Sequence, residues 1–240
     1  MRKEAAQEWR ITMKKVDLHV HSTYSDGTNT PKELIKLAEN EGLSAIALTD
    51  HDTLDGIPDA LDAAKNSSVE LIPGVELSTN FNNTEVHIVG LFLDHNNKQI
   101  NDYLIYQRQS RIDRNIQMCQ KFCDIGINIT YDKMCELYPD AVITRAHFAD
   151  YLVKNKYTGD RNEAFDRYLS PGKPCFVNRH KVDPEEAVAV IHKAHGAAIL
   201  AHPVLYHLGK DQMNALLEHV CSAGIDGIEA IYSTYKPADE

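Results

Sequence analysis

Through the first hundred residues, short apolar runs alternate with amphipathic stretches, and nearly every run ends in histidine or carboxylate side chains. Residues 16–20 read as a strand. Residues 31–41 read as a helix, with Thr30 as N-cap, Pro31 in the first helical position and Gly42 as the stop. A second strand, 45–48, is apolar throughout and so buried on both faces. A helix is expected over 57–65, and strands over 71–76 and 86–93. This rhythm predicts an α/β fold built on a parallel sheet or barrel. From about 98 to 170 the chain turns helical, rich in Arg, Gln, Asp and Tyr, without period-2 alternation. The α/β rhythm then returns, with helices over 184–194 and 211–223 and strands over 197–201 and 227–231. The expected organisation is an N-terminal extension (1–14), a barrel (15–97 and 175–240) and an inserted helical subdomain (98–174). Met13 offers an alternative start just before the first strand.

In parallel α/β folds the site forms at the C-terminal ends of the strands. Collecting polar residues there brings together His19, His21, Asp26, Asp50, His51, Asp52, Glu76, His87 and His202. His19 and His21 are two apart on a strand and share a face, so both can grip one ion. Singly, each residue has a plainer explanation. Asp26 before Gly27 could serve a turn, Asp50 and Asp52 could cap a helix, and Glu76 could pair with a buried Arg. Their joint arrival at successive strand ends points to a metal site. Imidazole with carboxylate suits Mn, Fe or Zn. The number of ligands implies two or three divalent ions, with Glu76 bridging. We take manganese first, with iron, zinc or magnesium as alternatives. Such a cluster can hold and acidify a water and clamp the oxygens of a phosphate. His95, His192, His195, His207 and His219 are read as surface or packing residues, His195 as a helix terminator before Gly196.

Composition narrows the partners. A net charge of −10 disfavours broad binding to duplex DNA, but bound cations can still make a pocket receptive to an anion. No apolar run is long enough for a bilayer, and residues 1–15 carry no signal-peptide core. Five cysteines without a C-x-x-C pair fit a reducing cytoplasm. No G-x-G-x-x-G or Walker loop is present, and no obligate protein partner is evident.

Asp17-Leu18-His19-Val20-His21-Ser22, Thr49-Asp50-His51-Asp52, Pro73-Gly74-Val75-Glu76 and Ala201-His202-Pro203 resemble the successive motifs of the PHP (polymerase and histidinol phosphatase) superfamily. The resemblance runs from about residue 15 to the end of the chain. It implies a distorted (β/α)7 barrel, a trinuclear metal centre and phosphoesterase activity. Under it, His19, His21 and Glu76 would bind one metal, Glu76, His87 and His202 a second, and Asp26 with His51 a third, while Asp50 would orient ligands.

The Gly74-Val75-Glu76-Leu77-Ser78 run, Glu85-Val86-His87-Ile88-Val89-Gly90 and the helical insertion are similar to nucleoside 3′,5′-bisphosphate phosphatases. That subfamily is also linked to 5′→3′ trimming of short RNA. The implied reaction is removal of the 3′-phosphate by a metal-bound hydroxide, acting on a small phosphorylated nucleotide or short RNA. The implied catalytic set is His19, His21, Glu76, His202 and Arg145. Arg145 and His147, from Ile143-Thr144-Arg145-Ala146-His147-Phe148-Ala149, become phosphate contacts. Lys173, Arg179 and His180 are weaker candidates, and the plain alternative is that Arg145 pairs with an acid of the insertion. The family pattern ends with a Gly-Ser-Asp-x-His strand, and this chain ends at Glu240 before one. The last barrel unit is therefore expected to be missing, and metal binding to be weaker. Two other readings stand: a histidinol-phosphatase-like or other small phosphomonoesterase, and a truncated non-catalytic module.

Overall fold

The computed structural model describes residues 14–179 and 182–239. The expected N-terminal extension, apart from Lys14, and the candidate His180 lie outside them. The elements run β1 (Lys15–Val20), α1 (Pro31–Asn40), β2 (Leu43–Leu48), α2 (Ile57–Ala64), β3 (Glu70–Phe81), β4 (Thr84–Leu91) and α3 (Lys98–Asp124). There follow α4 (Tyr131–Leu137), α5 (Arg145–Lys154), α6 (Arg161–Ala164) and a π turn, Phe165–Leu169. The chain closes with α7 (Pro184–Lys193), β5 (Ala197–Leu200), a 3-10 turn (Pro203–Tyr206), α8 (Lys210–Ser222) and β6 (Gly227–Ile228).

Local chemistry explains the boundaries. The Thr30 hydroxyl accepts from the Glu33 N–H while the Glu33 carboxylate accepts from the Thr30 N–H, a complete capping box with Pro31 at the first position. Gly42 ends this helix region at φ +68°. Leu34, Ile35 and Ala38 then bury one face of α1. His195 sits at φ +61° just after α7, with the Gly196 N–H reaching back to the Ile191 carbonyl, which is the terminator role expected of it.

The six strands lie in sequence order in one mixed sheet. β1, β2 and β3 are parallel, and β5 and β6 are parallel, but β4 runs antiparallel to both β3 and β5. The expectation of a parallel sheet is corrected there. β3 does not stop at Glu76 but continues to Phe81. It then turns back through Asn82 and Asn83, at φ +48° and +68°, the left-handed pair that a two-residue hairpin demands and Asn tolerates. β1 and β6 form the two edges. The sheet nonetheless curls into a half-barrel, since His19 of β1 comes within 3.1 Å of Glu229 just past β6.

One apolar core lies between the sheet and its helices, around Ile46, Leu48, Val75, Ile88 and Ile191. A second gathers Met118, Phe122, Ile129, Phe148, Leu152 and Leu169 among the helices that follow β4. Between β1 and β6 an apolar cleft of about 780 Å³ stays open, edged by Val16 and Ile228.

Candidate metal centre

Glu76 is the hub. It stands mid-strand in β3, 1% exposed, where its N–H donates to the Asp50 carbonyl and its own carbonyl accepts from the Asp52 N–H. Its Oε1 lies 2.7 Å from His87 Nδ1 and 2.8 Å from His202 Nε2. Its Oε2 lies 3.4 Å from His19 Nε2, 3.2 Å from His21 Nε2 and 2.9 Å from His51 Nδ1. Five imidazoles from β1, β4 and the loops after β1, β2 and β5 thus face one carboxylate.

The donor spacing suits metal ions. His19 Nε2 and His21 Nε2 stand 3.2 Å apart, closing a triangle with Glu76 Oε2. Ligands about 2.1 Å from one ion stand about 3.0–3.4 Å from each other, which matches that triangle. The ring nitrogen His51 Nδ1 is buried without a hydrogen bond among the described residues, despite its nearness to Glu76, and so is His202 Nδ1. Three donor groups are close enough to share an ion each: His19 with His21 and Glu76, His21 with Asp26 and His51, and His51 with Glu76 and His87.

Electrostatics keep the hub anionic. Burial alone would raise the Glu76 carboxyl, but the charges of His51 and His87 and the bonds from His19 and His202 hold it well below the usual range. Burial likewise opposes a charged His19, yet Glu229 and Glu76 lift it to about 10. Glu76 and Glu85 lift His87 to about 9 in the same way. Asp26, against burial, is drawn down to about 2 by His51, His21 and the Thr144 hydroxyl.

Asp50 orients the first loop. It accepts from the Ser22 N–H (2.7 Å), the Ser22 hydroxyl (2.6 Å) and the Ser25 hydroxyl (2.6 Å), and Ser25 Oγ lies 3.2 Å from His21 Nδ1. Neither Asp50 nor Asp52 caps α2, whose N-cap is Gly56. Gly27 lets the loop close on itself, because a Cβ there would stand 2.1 Å from the His21 carbonyl oxygen. Asp52 faces the other way, holding Arg111 and, at 2.8 Å, Arg179.

The other expected phosphate contacts are dispersed. Arg145 pairs at 2.5 Å with Glu85, an acid of β4 rather than of the insertion. Glu85 in turn stands 3.4 Å from His87 Nε2. His147 is buried, its Nδ1 accepting the Thr144 N–H in the cap of α5, and burial pushes it down to about 4. Lys173 lies exposed on a turn.

Two participants escaped the sequence reading. Glu229 accepts from the His202 N–H at 2.7 Å and lies 3.1 Å from His19 Nδ1. It is a polar residue at the end of an apolar strand, the same signal that found the others. Glu85 precedes His87 by two and so shares its face of β4.

A curled α/β sheet whose strand ends gather five imidazoles around one carboxylate has the build of a metal-dependent hydrolase. The chain belongs to the PHP family, whose domain matches residues 17–197, and with it to the phosphoesterases. It is 41% identical over 216 residues to a 5′-3′ exoribonuclease of Haemophilus influenzae, covering 90% of this chain and 78% of the relative. It is 35% identical over 230 residues to a 3′,5′-nucleoside bisphosphate phosphatase of Chromobacterium violaceum, covering 95% and 80%. Among solved structures, an amidohydrolase from Chromobacterium violaceum with bound sulfate and no metal superposes with a TM-score of 0.88 at 35% identity, covering 94% of this chain and 80% of that one.

Proposed function

We propose that this protein removes the 3′-phosphate of nucleoside 3′,5′-bisphosphates and, by the same chemistry, trims short RNA from its 5′ end. The observation that carries the reading is the convergence of five imidazoles on the buried Glu76 carboxylate. The relatives named for these two activities support the choice of substrate. His19, His21, Asp26, His51, Glu76, His87 and His202 would hold two or three divalent ions, manganese first. Bound there, the ions would supply an acidified water and a clamp for phosphate oxygens.

The protein's own groups do the rest. Glu76 keeps its negative charge while buried, so it can join two ions. Asp50, through Ser25, sets the His21 ring. Glu229 takes the His19 Nδ1–H, which leaves Nε2 free to face the cluster. Arg145, at the rim beside Glu85, is proposed to meet substrate phosphate, with His147 and Lys173 as further contacts. The division into a barrel (15–97 and 175–240) and an insertion (98–174) belongs to the same reading, supported by the separate apolar core of the insertion. A cytoplasmic setting is supported by five free cysteines. No described helix is long and apolar enough to cross a membrane.

The test is phosphate release from adenosine 3′,5′-bisphosphate by manganese-loaded protein, with bound metal counted on the same sample. Turnover with two or more ions per chain is expected. No turnover at full metal occupancy would sink the reading.

A further inference from the structure

Beside the imidazoles lies a second charged region of different composition. α3 supplies Arg111 and Arg114, three residues apart and therefore on one helix face. Arg179 comes from the segment before α7, and Arg145 from the start of α5. Two carboxylates answer these four guanidiniums. Asp52 takes Arg111 and Arg179, and Glu85 takes Arg145. Arg114 makes no ion pair among the described residues, although Glu85 is near enough to attract it through space. It is 5% exposed, and its Nε and Nη2 have no hydrogen-bond partner among the described residues. Arg111 Nε is in the same condition.

A buried charge without a partner is strongly disfavoured, so this arrangement is poised for an anion. Burial, with the neighbouring charges of Arg111 and Arg145, pulls the Arg114 guanidinium well below its ordinary value. A cavity of about 20 Å³ opens against Arg111, Arg114 and Arg179, with Glu85 in its wall and the exposed Asn178 at its mouth. That space is water-sized. It admits one oxygen of a larger anion, with the remainder at the mouth.

We propose that this guanidinium-lined cavity is a phosphate-group site, separate from the metal cluster, with Arg114 as its principal anion ligand. Guanidinium forks match phosphate oxygens in geometry and charge. The excess of cations over carboxylates here leaves a net positive charge for the anion to neutralise. Glu85 joins the two places, touching His87 on one side and Arg145 on the other. The phosphate group has two sources: inorganic phosphate, or the phosphate of a nucleotide that is not being cleaved. The second source rests on the reading under Proposed function; the first does not.

The test is a thermal-shift titration of the manganese-loaded full chain with inorganic phosphate, adenosine 5′-monophosphate and adenosine. Wild type is compared with Arg114→Met and Arg114→Lys. Arg114→Met is expected to need about tenfold more phosphate or nucleotide for the same shift. Arg114→Lys keeps the charge without the fork, is expected to fall between, and carries the test if the Met variant does not fold. Arg114-dependence with both phosphate and nucleotide assigns the site to free phosphate. Dependence with nucleotide alone assigns it to the substrate's phosphate group. Equal shifts in all three proteins would overturn the site. Arg114-dependent phosphate binding in a protein that cleaves no bisphosphate would leave the site standing and remove the phosphatase reading.

Discussion

Glu76 and Asp52 are both buried carboxylates, yet they are partnered in opposite ways. Glu76 faces five imidazoles, while Asp52 faces two arginines and the Ser78 N–H at 3.0 Å. Imidazoles can give up a proton and offer a lone pair; guanidiniums cannot. The first carboxylate can therefore exchange protons for metal ions, and the second is locked into a permanent ion pair. The peptide carrying Asp50, His51 and Asp52 sends its middle residue to the exchangeable cluster and its last to the fixed one. A site that must be loaded is thus mounted on one that cannot unload.

The comparison breaks first at its hubs. Glu76→Ala should lower phosphate release from adenosine 3′,5′-bisphosphate by about three orders of magnitude or more, with circular dichroism confirming a folded chain; robust turnover would refute the role given to it. Asp52→Asn should act on stability instead, leaving Arg111 and Arg179 without their counter-ion at a cost of about 3–5 kcal/mol in urea unfolding. The same variant sharpens the pH dependence. Burial would raise the Asp52 carboxyl, but Arg179 and Arg111 hold it below the usual carboxylate range. Its stabilisation is therefore complete above about pH 4 and is lost as the pH falls towards the folded value. Wild type should lose stability over that interval, and Asp52→Asn should show a shallower slope.

Smaller effects follow from the supporting residues. Glu229→Gln should weaken metal binding about tenfold, read by calorimetry, with little change in the unfolding of chelated protein. An equal loss of stability with and without metal would make Glu229 a packing residue. Thr144→Ala removes both the cap of α5 and the hydroxyl that donates to Asp26 at 3.0 Å. It should cost about 1 kcal/mol, with a modest fall in affinity for the ion beside Asp26.

How far the sequence reveals all this depends on the range of the interaction. The residues of the imidazole cluster were legible because each stands at or near the end of an apolar run, a local pattern. Glu229 carries that same pattern in a shorter strand. The direction of β4 was missed because the turning signal is two asparagines, Asn82-Asn83, rather than a glycine pair. The arginine network was legible only in part. Arg179 stood out as a cation, but Arg111 and Arg114 sit in a polar helix whose sequence looks solvent-facing, and their burial, with Arg111 on Asp52 and Ser78, depends on residues far away in the sequence. Arg145 was singled out as a phosphate contact or as the partner of an acid of the insertion; the acid it meets is Glu85, 60 positions away in β4, a distance no local pattern reveals.

The contact between His19 and Glu229 joins positions 210 residues apart, from opposite edges of a sheet whose edge strands do not pair. Held firmly, such a contact makes a ring of about 210 residues. A cross-link closing a ring of that size removes about 5 kcal/mol of chain entropy from the unfolded state. An ion seated between His19, His21 and Glu76 would tie β1 to β3 in the same manner, as a clasp that can be opened by a chelator. The cluster would then hold separate strands together as well as perform its chemistry, and the loss of metal would be felt in how firmly β1 is held to the rest of the sheet.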